Sequence, residues 1–120
     1  MEAEKILSLA VKALDSKKAL NMSAIKVSDL TVITEYFVIA TATSSTHVRS
    51  LAEEVEDKIS KEGLEPKSIE GRATNWILID YGSIIVHVFT QDAREFYNLD
   101  RIWDDGEHID IDSLIGENED

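Results

Sequence analysis

The hydrophobic pattern predicts a β-hairpin around which the rest of the chain is organised. In the segment NWILIDYGSIIVHVFT, residues 75–90, two apolar runs rich in β-branched residues flank Asp80-Tyr81-Gly82-Ser83. Such runs on either side of a glycine-containing reversal are typical of a hairpin. With a two-residue loop, one face is almost wholly aliphatic and the other mixes aromatic, acidic and imidazole groups. The aliphatic face carries Ile77, Ile79, Tyr81, Ile84, Val86 and Val88; the mixed face carries Trp76, Leu78, Asp80, Ile85, His87 and Phe89.

Three further segments have helical periodicity. Apolar residues at helical spacing predict a helix over residues 2–17 and a second one that begins at the polar cluster of residues 43–46 and ends near Glu62, before Gly63. A last helix is predicted after the hairpin, capped by Asp92. Its residues at approximate helical spacing are Ala93, Phe96, Leu99 or Asp100, and Trp103.

The remaining patterns predict strands. Alternation over residues 23–28 indicates a half-buried strand, the continuous apolar run at residues 36–41 a central strand buried on both faces, and residues 67–70 a short strand. The unit from residue 36 to residue 70 is predicted to be a right-handed crossover that joins parallel strands. The fold class is therefore α/β: a single domain with a mixed sheet of about five strands flanked by helices.

Length and charge restrict the class of protein and the partners that it can bind. The 120 residues suffice for one domain, and no apolar run approaches the roughly 20 residues of a membrane helix. The N-terminus carries acids where a targeting segment is basic, so we expect a cytoplasmic protein without a membrane partner. A net charge of −12 opposes nonspecific binding to nucleic acid and favours a basic partner.

Much of this charge lies at the C-terminus. Residues 104–120 contain eight acids and no base, which predicts an acidic, solvated tail following a domain of residues 1–103. Removal of residues 106–120 is accordingly expected to leave the fold intact. Four apolar residues oppose that expectation, because they can dock as a small amphipathic element: Ile109, Ile111, Leu114 and Ile115.

Motifs for catalysis or cofactor binding are missing from the sequence. The glycines form no phosphate-binding loop, and the spacing of His47, His87 and His108 matches no metal site. The carboxylates of Asp110 and Asp112 have the spacing of a two-metal nucleotidyl-transfer site, but they lie in the acidic tail without a matching glycine-serine loop. We therefore predict no catalytic residue, metal or cofactor.

The mixed face of the hairpin leaves two interpretations open. Trp76 is typical of a core aromatic residue, His87 of a hydrogen-bonded histidine within a sheet, and Asp80 of a turn acid. The same three residue types also suit a protein-binding surface, in which aromatic anchors and a few polar groups supply the energy.

Several collinear motifs resemble the ribosomal silencing factor family, also called the Iojap-related family. They are Glu70-Gly71, WILIDYG at residues 76–82, VHVF at 86–89, REFYNL at 94–99 and Trp103, with TEYFVIAT at 34–41 and Ser45 and His47-Val48 upstream. The resemblance covers roughly residues 3 to 103. Glu35 stands where the family usually has aspartate, and Asp100 where it often has glutamate.

The resemblance implies a nucleotidyltransferase-like topology without known catalysis. It implies binding to the large ribosomal subunit through ribosomal protein fourteen, on the face that the small subunit would cover, which lowers translation when nutrients are scarce. The family's shared surface residues map onto Trp76, Asp80, His87, Arg94 and Tyr97. We predict that these five residues, on the mixed face of the hairpin and the start of the last helix, form the contact with the ribosome.

Three matters stay open at this point. The alternative functions are assistance in large-subunit assembly, as in organellar members of the family, and a nucleotidyltransferase-related enzyme. An exposed strand edge also leaves a homodimer possible.

Overall fold

The two strands that lack charged residues form the centre of the sheet. Strands β2 (Tyr36–Ala42) and β5 (Ile84–Thr90) pair in parallel, with Val38 opposite Val86. Every residue of β2 is buried, and so is every residue of β5 except Thr90. Continuous apolar runs are required here because helices cover both faces of these strands. The prediction of a central strand at residues 36–41 is confirmed.

The predicted hairpin forms with the predicted sorting of faces. Strand β4 (Trp76–Asp80) pairs antiparallel with β5, and Trp76 lies opposite Phe89. The loop between the paired residues Tyr81 and Ile84 has two residues, and Gly82 adopts a φ of +88° there. Directly opposed residues share a face, so the aliphatic and mixed faces are those expected from the sequence.

The other predicted strands extend the sheet on both sides. Strand β3 (Ser68–Glu70) pairs antiparallel with β4, and β1 (Leu20–Lys26) pairs antiparallel with β2. Because β2 and β5 are parallel, the alternating pairings make β3 run in the same direction as β2. The two strands are not neighbours, since β5 and β4 lie between them.

Helices α1 (Ala3–Ser16) and α2 (Ser45–Ser60) cover the aliphatic face of the hairpin. The predicted polar cluster before α2 provides its cap, because the Ser44 hydroxyl accepts a hydrogen bond from the His47 amide at 3.1 Å.

The structure is a computed structural model that describes residues 1–72 and 74–116. Among these residues, no helix is long and apolar enough to cross a membrane.

The start of the acidic tail belongs to the fold. Strand β6 (Glu107–Ile109) pairs with β1, and helix α5 (Ile111–Gly116) packs on α1 with Leu114 buried. The Ser8 hydroxyl donates to the Leu114 carbonyl at 3.3 Å. Residues 107–116 thus differ from the expected solvated extension, because their apolar side chains dock while the acids face outwards. The sheet order is β3-β4-β5-β2-β1-β6, six strands rather than about five; residues 117–120 of the predicted tail lie outside the described residues.

The predicted last helix is divided into α3 (Gln91–Tyr97) and α4 (Leu99–Ile102). Asn98 separates them with a left-handed φ of +49°. The cap of α3 is Thr90, whose hydroxyl accepts from the Ala93 amide at 3.3 Å, and not Asp92 as predicted. The two helices lie on the mixed face of the hairpin. Ala93, Leu99 and the following Trp103 pack there against a second buried cluster, which consists of Ile25, Val27, Phe37, Ile39, Ile85 and Phe89.

Candidate partner-binding surface

Aromatic rings stack outwards from the mixed face of the hairpin. Phe89 is fully buried, and the half-buried Trp76 ring lies over it with centroids 4.9 Å apart. The Tyr97 ring, contributed by α3, lies 4.6 Å from Trp76 and is 46% exposed. We call Trp76, Phe96 and Tyr97 the aromatic surface.

His87 supports Trp76 from inside the protein. The indole Nε1 of Trp76 donates a hydrogen bond to Nδ1 of His87 at 3.1 Å. His87 is only 4% exposed, and this burial lowers the pKa of its imidazole to about 4, so the ring is neutral at pH 7. A neutral ring that accepts at Nδ1 carries its proton on Nε2, and no described group accepts from that atom. The imidazole therefore holds the indole and is not itself available at the surface.

A tight turn delivers Trp76 to the start of β4. Gly71 has a φ of +83°, and a Cβ atom there would lie 2.0 Å from the Trp76 carbonyl oxygen. The Thr74 hydroxyl lies 2.8 Å from the carbonyl oxygens of both Gly71 and Trp76. Only glycine allows this close approach, so Gly71 helps to fix the position of Trp76.

An open groove of about 870 Å³ runs along the aromatic surface. Its apolar lining comes from Trp76, Leu78, Ala93, Phe96 and Tyr97, and its acidic lining from Glu70 and Asp92. Within this lining, Phe96 is 80% exposed and Tyr97 is 46% exposed. Large apolar side chains exposed together beside acids are typical of a surface that binds another protein.

The structure brings four of the five predicted site residues together. Trp76 and Tyr97 lie in the aromatic surface, and His87 lies beneath Trp76. Arg94 is on the same helix as Tyr97, but its side chain contacts the ends of β1 and β2 and is 13% exposed. Asp80 is at the other end of β4, about 13 Å away at the usual rise per residue of a strand. Its carboxylate accepts from the Gly82 amide at 2.7 Å, which is the geometry of a turn acid.

Phe96 is the residue that sequence reasoning missed as a site candidate. It has helical spacing from Ala93 and Leu99, which favoured a core position. Phe96 and Tyr97 are adjacent, however, and neighbouring residues on a helix point about 100° apart. Tyr97 was already a candidate for the surface, so the aromatic residue next to it was the available signal.

The Asp110 carboxylate of the tail has a structural role. The Asp110 carboxylate accepts from the Asp112 amide at 3.2 Å and so helps to begin α5. Among residues 1–72 and 74–116, no group of three or more histidine, aspartate or glutamate side chains is arranged to hold a metal ion.

Comparisons with known proteins show similarity over the whole chain. The family model described as "Ribosomal silencing factor during starvation" matches residues 1–120, beyond the expected range of 3 to 103. The ribosomal silencing factors of Halalkalibacterium halodurans and Bacillus subtilis are each 34% identical, over 96% and 93% of this chain and 99% and 96% of their own lengths. The chloroplast Iojap protein of Zea mays is 30% identical over 88% of this chain and 47% of its own length. A crystal structure from Chromobacterium violaceum has a TM-score of 0.84 at 30% identity, covering 87% of this chain and 88% of that chain.

Proposed function

This chain belongs to the ribosomal silencing factor family, and we propose that it represses translation by binding ribosomal protein fourteen on the large subunit and blocking access of the small subunit. The family names indicate a ribosome-associated regulator of translation rather than an enzyme. The observation that supports the finer proposal is the exposed aromatic surface, with its groove and acidic lining.

The chemistry of this surface suits a basic protein. Aromatic side chains supply contact area at low entropic cost, and they dominate the energy of many interfaces. Glu70 and Asp92 would face lysine or arginine side chains of the partner. The overall charge of −12 disfavours direct binding to ribosomal RNA, since phosphate contacts require lysine and arginine.

The proposed mechanism needs affinity and volume and no bond-making step. The described chain extends 33 × 30 × 27 Å. A standard interface buries about 800 Å² of each partner, which a domain of this size can supply from one side. The rest of the domain then occupies the space that the small subunit needs.

Cosedimentation with isolated large subunits, isolated small subunits and joined ribosomes tests the proposal. We expect capture by large subunits alone and a reduced yield of joined ribosomes when the protein is added first. Equal capture by both subunits would contradict the proposal. Binding to precursors but not to mature large subunits would instead support a role in subunit assembly.

A pair of variants tests the surface. Because Phe96 is 80% exposed, we expect Phe96→Ala to change the free energy of unfolding by no more than about 0.5 kcal/mol and to weaken large-subunit binding about tenfold or more.

The matched control is Ile33→Ala. Ile33 is 71% exposed in the loop before β2, at the opposite end of the sheet, and its truncation should leave binding unchanged. Similar affinities for Phe96→Ala and wild type would place the contact elsewhere on the protein.

A further inference from the structure

Arg94 connects α3 to three other parts of the chain. Its Nη2 and Nε donate to the two carboxylate oxygens of Asp100, at 2.7 and 3.0 Å, as a two-pronged ion pair. Its Nη1 donates to the Thr41 hydroxyl at 2.9 Å and to the Asn21 carbonyl, and its Nη2 donates to the Ser23 hydroxyl at 3.3 Å. The guanidinium thus links α3 and α4 to the ends of β1 and β2.

The first strand is shaped for this contact. The pairing of β1 with β2 shifts register between Leu20 and Ser23, and Asn21 within the shift has a left-handed φ of +46°. The irregularity leaves the Asn21 carbonyl for Arg94 instead of for the ladder. A guanidinium suits this site because its planar donors reach several acceptors at fixed angles, which a lysine cannot do.

Apolar burial contributes little to the docking of this segment. None of residues 91–102, all of which the structure describes, is fully buried. Ala93 and Leu99 are half-buried against the sheet, whereas Phe96 and Tyr97 are exposed. Segments with few buried contacts open locally at low free energy. Because apolar burial is small here, the hydrogen bonds of Arg94 supply much of the stability of the contact between these helices and the sheet. The hydrogen bond from Arg94 also lowers the pKa of Asp100, so the carboxylate is ionised at neutral pH.

We infer that Arg94 and Asp100 are positioning residues, which dock α3 and α4 on the sheet and thereby hold Tyr97 against Trp76 before a partner binds. The inference rests on the proposed function for its effect on binding. It assigns Arg94 a role between α3 and the sheet, not a partner contact. It also gives a role to Asp100, whose exposure alone does not indicate one. A ring held in its bound position loses less entropy on association.

The test uses three variants of the full chain. Asp100→Asn removes the charge at nearly constant size, Asp100→Glu restores a carboxylate, and Asp105→Asn removes the same charge from an exposed residue nearby. Two measurements need no partner: amide hydrogen exchange of residues 91–103, and the nuclear Overhauser contact between the Trp76 and Tyr97 rings. The third measurement is the affinity for isolated large subunits.

We expect Asp100→Asn to speed exchange in α3 and α4 about tenfold and to abolish the contact between the rings. Amides of β2 and β5 should exchange as in wild type, which shows that the variant is folded. Large-subunit affinity should fall about tenfold. Asp100→Glu should restore at least half of each effect on a logarithmic scale, and Asp105→Asn should match wild type throughout.

An unchanged ring contact and unchanged exchange in Asp100→Asn would overturn the inference. So would loss of the ring contact with unchanged affinity, because the position of Tyr97 would then be irrelevant to binding. Failure of the proposed function is distinguishable, since it appears as failure of the wild type itself to sediment with large subunits. In that case the exchange and ring-contact measurements alone confirm or overturn the positioning role.

Discussion

At the residue scale, two polar side chains hold elements that carry the candidate binding surface: His87 lies beneath Trp76, and Arg94 lies between α3 and the sheet. His87 accepts from the Trp76 indole, and Arg94 pairs with Asp100. A buried polar group is costly unless it is hydrogen-bonded, so both contacts restrict how the surrounding rings can be arranged. The candidate binding surface can then be mostly aromatic and still have a defined shape.

The neutral state of His87 predicts a dependence of stability on pH. Its pKa is about 4 in the folded protein, against about 6.5 when unfolded. As the pH falls, the unfolded chain binds a proton at His87 before the folded protein does. The free energy of unfolding therefore has its full value, as far as His87 is concerned, above pH ~6.5 and decreases between about pH 6.5 and 4. The loss over that window is on the order of 3 kcal/mol, measured as the free energy of unfolding against pH by urea denaturation.

Two variants identify the source of that slope. His87→Gln should flatten it, because glutamine can still accept from Trp76 but does not titrate. His108→Gln changes a histidine whose side chain is 55% exposed and should retain most of the slope. An equal slope in wild type and His87→Gln would show that other groups are responsible.

At the element scale, the first part of the acidic tail completes both the sheet and the helical layer. The chain passes so close to β1 that a Cβ atom at Gly106 would lie 2.5 Å from Ile25 Cγ2 and 2.7 Å from the Lys26 carbonyl oxygen. After this approach β6 pairs with β1, and Leu114 enters the core between the helices α1 and α2 and the aliphatic face of the hairpin. Acids and apolar residues share one short segment, and the apolar residues determine where it lies.

Deletion of residues 107–120 should therefore destabilise the fold. It removes the pairing of β6 with β1 and exposes the side of α1 under Leu114. We expect the thermal midpoint to fall by about 10 °C, corresponding to roughly 2 kcal/mol for a domain of this size, as measured by circular dichroism.

Single substitutions separate the packing of a buried residue from truncation of an exposed one in the same element. Leu114→Ala should lower the midpoint through loss of core contact at a cost of about 2 kcal/mol or more, whereas Ser113→Ala at an exposed neighbour should change it little. An unchanged midpoint after deletion would mean that the segment adds no stability and would return the tail to the solvated extension expected from its composition.

At the scale of the whole molecule, the charge of −12 limits the partners that the protein can approach. A net negative charge repels RNA and attracts basic protein at distances of about a Debye length, which is roughly 8 Å at physiological salt. Contact through ribosomal protein fourteen is compatible with that charge, whereas contact mainly through ribosomal RNA is not.

Binding to isolated ribosomal protein fourteen should consequently depend on salt. We expect the association rate to fall about tenfold between roughly 50 and 300 mM salt, with little change in the dissociation rate. Stopped-flow fluorescence measures both rates, and ribosomal RNA free of protein is the control that should not bind. An association rate independent of salt would remove electrostatic attraction from the mechanism.

Local pattern predicted most of the architecture. Hydrophobic periodicity predicted the hairpin with its two faces, the central strand and the two long helices. In a strand, side chains point alternately to the two faces, and in a helix, residues three or four apart lie on the same face, so burial of each face can be read from the sequence. The collinear motifs also identified the family, which the comparisons confirm. The aromatic character of the binding candidate was visible in Trp76 and Tyr97.

Contacts between distant residues decided the rest. Arg94 meets Ser23 and Thr41 across 71 and 53 positions of the sequence, so its side chain lies between α3 and the sheet and not on the surface for which the family motif had made it a candidate. Asp80 lies at the far end of β4, Phe96 lies in the aromatic surface, and the first part of the tail joins the sheet. In each case the residue's own pattern allows two positions, and only the packing of other elements around it selects one.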